Sequence, residues 1–191
     1  ARVSGVPRAM EETGGLPPRV WLSRIRLSDF RNYASLSLEL GDTHVVLTGE
    51  NGAGKTNLLE AISFLAPGRG LRRARMQDVT RSDAGESVPP GGLRWAVAST
   101  LETAGGEIEI GTGFEATGDG EEGGRRVVRL NGANARSQSA LGEVLAAVWL
   151  VPEMDRLFMD SAGGRRRFLD RLVAAFDHRD IFIDPDPDPE P

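Results

Sequence analysis

The chain has no cysteine and only two histidines, His44 and His178. Disulfides and thiolate metal centres are excluded, and two imidazoles alone do not make a zinc cage. No apolar run approaches the ~18–20 residues that cross a bilayer, and the first residues show no secretory pattern, so a cytoplasmic location without a membrane partner is expected. Lysine is nearly missing too: Lys55 is the single lysine among 23 lysine and arginine residues. What is present is 39% hydrophobic residues in 191, with 24 glycines and 11 prolines gathered in a few stretches. That suits one domain, or one and a fraction, with loops inserted around a smaller packed core. The net charge of −5 is uneven. Residues 178–191 set five carboxylates against Arg179 and hold −4 of it, leaving −1 for residues 1–177.

That lone lysine lies in Gly49-Glu50-Asn51-Gly52-Ala53-Gly54-Lys55-Thr56, which fits the phosphate-loop pattern G-x-x-x-x-G-K-[ST] without a mismatch. Before it, Thr43 to Thr48 is a β-branched run that reads as a buried strand. After it, Leu58, Ala61, Ile62 and Leu65 fall at helical spacing until Pro67-Gly68 stops the helix. Glycines let backbone N–H groups turn around phosphate oxygens, and the helix N-terminus adds its positive end. Lys55 is placed for the β- and γ-phosphates and the Thr56 hydroxyl for Mg²⁺. The expected ligand is a nucleoside triphosphate.

Along the chain, residues 1–19 lack periodicity and read as a disordered leader. Alternation predicts strands at Arg19–Leu27 and around Leu36, Leu38 and Leu40, separated by the turn Asp29–Tyr33. Further strands are expected at 93–101, with Leu93, Trp95, Val97, Ser99 and Leu101 on one face, then at 107–110 and 125–130. Ala104-Gly105-Gly106 and Asn131-Gly132 are the turns. Helices are expected near 138–147 and over 165–176. The Pro/Asp-rich end cannot pack. Arginines cluster at Arg69, Arg72, Arg73 and Arg75, in a connection able to present guanidinium groups to successive DNA phosphates. Those at Arg165, Arg166, Arg167 and Arg171 read first as the solvated side of a helix, with a DNA or partner face as the second reading.

Leu27-Ser28-Asp29-Phe30-Arg31-Asn32-Tyr33, followed by Gly49 through Ile62, closely resembles the opening of the RecF family, the bacterial repair ATPases related to Rad50 and SMC heads. Pro152 to Phe158 and Arg165-Arg166-Arg167-Phe168-Leu169-Asp170 resemble its second signature. The likeness runs over about residues 20–177. It implies an α/β P-loop NTPase of ABC-ATPase/SMC-head type, a mixed sheet with an antiparallel β subdomain, in which heads dimerise over ATP and grip single-stranded or gapped DNA. The family supports replication, repair and the SOS response with RecO and RecR as partners. It also implies that Arg31 and Asn32 lie against the nucleotide. Residue types alone equally allow a turn held by side-chain hydrogen bonds.

The family continues into a second lobe bearing a signature motif and a Walker B strand. Ser161-Ala162-Gly163-Gly164 is misplaced for the first, and in Ile181-Phe182-Ile183-Asp184 the run is short and Pro185 follows. A truncated second lobe is therefore expected, with ATP and DNA binding but no hydrolysis by this chain alone. The alternatives are a non-hydrolysing ATP-binding fragment and, far behind, an unrelated P-loop kinase.

Overall fold

The computed structural model describes residues 2–6, 20–82, 91–117, 123–152 and 162–176. Strand β1 (Arg2–Val6) comes first, where a disordered leader was expected; residues 7–19 lie outside the described residues. Strands β2 (Trp21–Phe30) and β3 (Tyr33–Glu39) form a hairpin closed by the two residues Arg31 and Asn32. Strand β4 (His44–Thr48) leads into the glycine loop and helix α1 (Lys55–Ser63).

β4 corrects the sequence reading. Among the described residues it pairs only with β1, antiparallel, Arg2 opposite Thr48 and Val6 opposite His44. Val45 and Val46 are 41% and 45% exposed instead of buried. A hydrophobic run implies burial only where a second layer covers it, and among the described residues only Leu47 of this strand packs on the core. The open edge of β4 also explains β1, since an unpaired row of N–H and C=O groups accepts an extended segment.

Strands β5 (Leu93–Thr103), β6 (Gly106–Ala116), β7 (Gly124–Leu130) and β8 (Ala133–Asn134) complete the main sheet, ordered β3-β2-β5-β6-β7-β8. Every described ladder is antiparallel, so the antiparallel subdomain is the part of the expected mixed sheet that these residues carry. Asn131 and Gly132, at φ 47° and 79°, make the β7–β8 turn with both residues left-handed, as Asn-Gly favours. β6 is longer than its expected four residues. Leu93 leaves the face of Trp95, Val97, Ser99 and Leu101 because the register shifts between Leu93 and Trp95.

Period-two alternation puts Ile25, Leu27, Trp95, Val97, Leu101, Ile110 and Val128 on one face of the sheet, where Leu58 and Ala61 of α1 and Phe64 and Leu65 just after it join the same core. Phe30, Phe64 and Trp95 meet at centroid distances of 5.3–5.9 Å, with Phe30 edge-on to both others. The buried indole of Trp95 donates to Met76 O at 2.8 Å.

Residues 138–147 do not form the expected α-helix. Gln138–Glu143 is a 3₁₀ segment with Leu141 in the core, and Gly142 rests close against Pro67. A mid-segment glycine costs about 1 kcal/mol of helix propensity, and Pro67 occupies the place a side chain would take. Helix α2 (Ala162–Phe176) starts three residues before the expected Arg165, so Ala162-Gly163-Gly164 is its first turn. Phe168 and Leu172 are half-buried, whereas Leu169 is 58% and Val173 41% exposed. The rest of the Pro152–Phe158 segment, the Ile181–Asp184 run and the tail 178–191 lie outside the described residues. No helix among the described residues is long and apolar enough to cross a membrane.

Candidate functional site

The glycine loop between β4 and α1 turns on Gly49, Gly52 and Gly54, at φ 144°, 85° and 91°. These values suit glycine and strain other residues. Ala53 N donates to Glu50 O across the loop at 3.2 Å. Helix α1 begins without a side-chain cap and without an acidic residue in its first turn. Its first N–H groups have no intrahelical acceptor, so the N-terminus is polar, positive and suited to an anion. Lys55 arches back over the loop, Nζ donating to Gly49 O at 2.6 Å and Glu50 O at 2.7 Å. Thr56 is exposed at the mouth.

The Phe30–Tyr33 segment braces this loop from the side. Phe30 is locked in the core, and Arg31 has a left-handed φ of 54° that swings the turn over α1. Tyr33 Oη donates to Gly54 O at 3.1 Å. Burial there pushes the Tyr33 phenol above its usual value. A Cβ on Gly54 would stand 2.7 Å from both Asn32 Nδ2 and Tyr33 Oη. Gly54 is thus glycine for two reasons, its φ and the turn pressed against it. Asn57 Nδ2 donates to Asn32 Oδ1 at 2.8 Å, tying the turn to the first turn of α1.

Behind the loop lies a carboxylate that the sequence reading missed. Glu60 is fully buried, and Arg31 grips it in fork geometry, Nε to Oε2 at 2.9 Å and Nη2 to Oε1 at 2.8 Å. Arg31 Nη1 also donates to Asp78 O at 2.7 Å. Arg72 Nη1 reaches the same carboxylate at 3.2 Å and Asn57 Oδ1 at 2.9 Å. One buried acid therefore joins the Arg31 turn, α1 and the arginine-rich connection. The signal was Phe64: a large apolar residue one turn after Glu60 widens the buried arc of α1 around it.

The other arginines separate. Arg69, Arg72, Arg73 and Arg75 are all exposed, and of them Arg72 is also tied into the network just described. Arg165 and Arg166 are exposed on α2; nothing is described for the side chains of Arg167 and Arg171. Arg126 was also missed. It stands on the inner face of β7 opposite Phe114, and its guanidinium donates to Phe64 O, Gly68 O, Gln138 Oε1 and Thr112 Oγ1. It thereby caps the C-terminal end of α1, where a cation is favoured. Burial brings its pKa down to about 10.

Residues 21–154 match the family model for the RecF/RecN/SMC N-terminal domain. Over 162 residues the chain is 52% identical to the DNA replication and repair protein RecF of Rhizobium meliloti (strain 1021), covering 85% of this chain and 41% of that protein. It is 53% identical over 162 residues to the RecF of Mesorhizobium japonicum, covering 85% and 40%. Among solved structures, one titled as the recombination mediator protein RecF with ATP in the RecFOR pathway superposes with a TM-score of 0.69 at 26% identity, over 85% of this chain and 41% of that one. A second, titled as RecF-ATPrS, gives 0.66 at 25% identity, over 83% and 39%. The chain spans about two fifths of the length of the relatives it matches.

Proposed function

Because the chain belongs to the RecF/RecN/SMC N-terminal domain family, with the P-loop fold of ABC-ATPase and SMC heads, we propose that it is the ATP-binding part of a RecF-type DNA replication and repair protein. The observation that carries this is the uncapped N-terminus of α1 behind a glycine loop that the Asn32–Tyr33 turn holds in shape. In this reading the residues Gly49, Glu50, Asn51, Gly52, Ala53 and Gly54 wrap the phosphates with backbone N–H groups. Lys55 leaves the Gly49 and Glu50 carbonyls to meet the β- and γ-phosphates, exchanging two neutral acceptors for charged ones. The Thr56 hydroxyl would hold Mg²⁺, which would supply positive charge to the phosphates.

Arg31 and Asn32 take different parts. Asn32 borders Gly54 and lies within reach of the nucleotide, whereas Arg31 positions the turn from behind through Glu60. The exposed arginines of the 69–75 connection make the protein a binder of single-stranded or gapped DNA by sequence-independent phosphate contacts. By its family it then acts in the cytoplasm at replication gaps and in the SOS response with RecO and RecR, as an ATP-dependent dimer. Isothermal titration with ATP and Mg²⁺ tests the site: wild type binds, and Lys55→Ala loses binding without losing its fold. Wild-type affinity in Lys55→Ala refutes the assignment.

A further inference from the structure

A cleft of 420 Å³ opens at the edge of the main sheet, at the opposite end of α1 from the phosphate loop. Arg69, Arg125, Arg126 and Arg136 line it, Arg69 far from the other three along the chain, and among the described residues no carboxylate lines it. The neighbouring acid Glu115 is already paired with Arg125 at 2.6 Å. Arg69, Arg125 and Arg136 are exposed, while Arg126 forms the half-buried back wall, fixed by Phe64 O, Gly68 O and Gln138. β8 pairs β7 at Arg129 and Leu130, and Ala135 N donates to Val128 O at 2.9 Å, so the part of β7 before Val128 is what turns an open edge to the cleft.

Resting on the DNA-binding reading above, we propose that this cleft seats a backbone phosphate of the bound DNA, with Arg69 and Arg136 as its contacts. Arg125 is paired with Glu115 and Arg126 is held by its acceptors, so the exposed Arg69 and Arg136 are the guanidinium groups left to meet an anion, and the planar donor fork of arginine matches phosphate. The cleft also explains the splitting of the arginine cluster. Arg72 is held by Glu60 and Asn57, whereas Arg69, three residues earlier, turns away into a site completed by residues that no sequence window joins to it. The anion is a DNA phosphodiester rather than a free polyphosphate, because the cleft is open to solvent beside the exposed strand edge, where a continuing backbone can enter and leave.

The test uses the 191-residue chain and a fluorescently labelled gapped duplex, titrated between about 0.05 and 0.3 M salt. Arg69→Gln combined with Arg136→Gln should weaken binding about 10- to 30-fold at 0.1 M salt and make the log–log salt slope shallower by about 2. Melting temperature and ATP affinity should stay at wild-type values, since both residues are exposed and far from the phosphate loop. Unchanged DNA affinity and slope in the variant, with binding by wild type, would overturn this proposal and leave the functional reading standing. Absence of DNA binding by wild type would overturn both. A third arm titrates tripolyphosphate: if it binds wild type but not the double variant while DNA binding is the same in both, the cleft is a free-anion site and the DNA assignment fails.

Discussion

Glu60→Gln is the substitution that examines the site most directly. It preserves shape while removing the charge that two arginines share. Gln offers one acceptor oxygen and turns an amide donor toward guanidinium donors, so at least one of the contacts at 2.8, 2.9 and 3.2 Å is lost. Removing one partner of a fully buried pair costs about 3–5 kcal/mol. Here the Arg31 and Arg72 side chains retain 21% and 43% of their exposure, so water recovers part of the loss. The expected cost is about 2–3 kcal/mol, which for a chain of this size lowers the melting temperature by about 4–12 °C. Most of it belongs to the Arg31 fork, because the Arg72 contact is longer and wetter; Arg72→Met should cost under about 1 kcal/mol. A double-mutant cycle of Glu60→Gln with Arg31→Met, followed by urea unfolding, should give a coupling of about 1–3 kcal/mol. A melting temperature within a degree of wild type, or a coupling near zero, would refute the claim that this ion pair holds the turn against α1.

Three further outcomes follow from the geometry. Gly54→Ala should cost about 1–3 kcal/mol in melting experiments and abolish ATP binding, through both its φ of 91° and the 2.7 Å approach of Asn32 and Tyr33; Gly52→Ala, at φ 85° but with open space around it, should cost less than Gly54→Ala. Tyr33 is the chain's one tyrosine, so ultraviolet titration reads it alone and should find a native midpoint above 10, against about 10 in denaturant. Since the native state keeps this proton longer than the unfolded state does, its contribution is complete below pH 10 and is lost as pH rises through the native value; a native midpoint at or below the denatured one would contradict the buried phenol. Trp95→Phe leaves Met76 O without its 2.8 Å donor and opens space beside Phe30 and Phe64, so urea unfolding should show a loss of about 2–4 kcal/mol.

The sequence by itself determined what depends on neighbours along the chain. The spacing of Gly49, Gly52, Gly54, Lys55 and Thr56 specifies the loop, because its φ values and the helix dipole are local properties. Alternation located the inner face of β5 from Trp95 to Leu101, and Asn131-Gly132 located its turn, for the same reason. Only the tertiary structure decided what depends on neighbours across the fold. Residue types at Arg31 and Asn32 left two readings equal, and only the fold shows their partners, Glu60 and Asp78 for Arg31 and Asn57 for Asn32. The hydrophobicity of Val45 and Val46 predicted burial, yet exposure is set by which layer covers a strand, and among the described residues none covers these two. Arg69 and Arg72 look alike in sequence, but a buried carboxylate holds Arg72 and an arginine-lined cleft receives Arg69, because charge partners are chosen by distance in space.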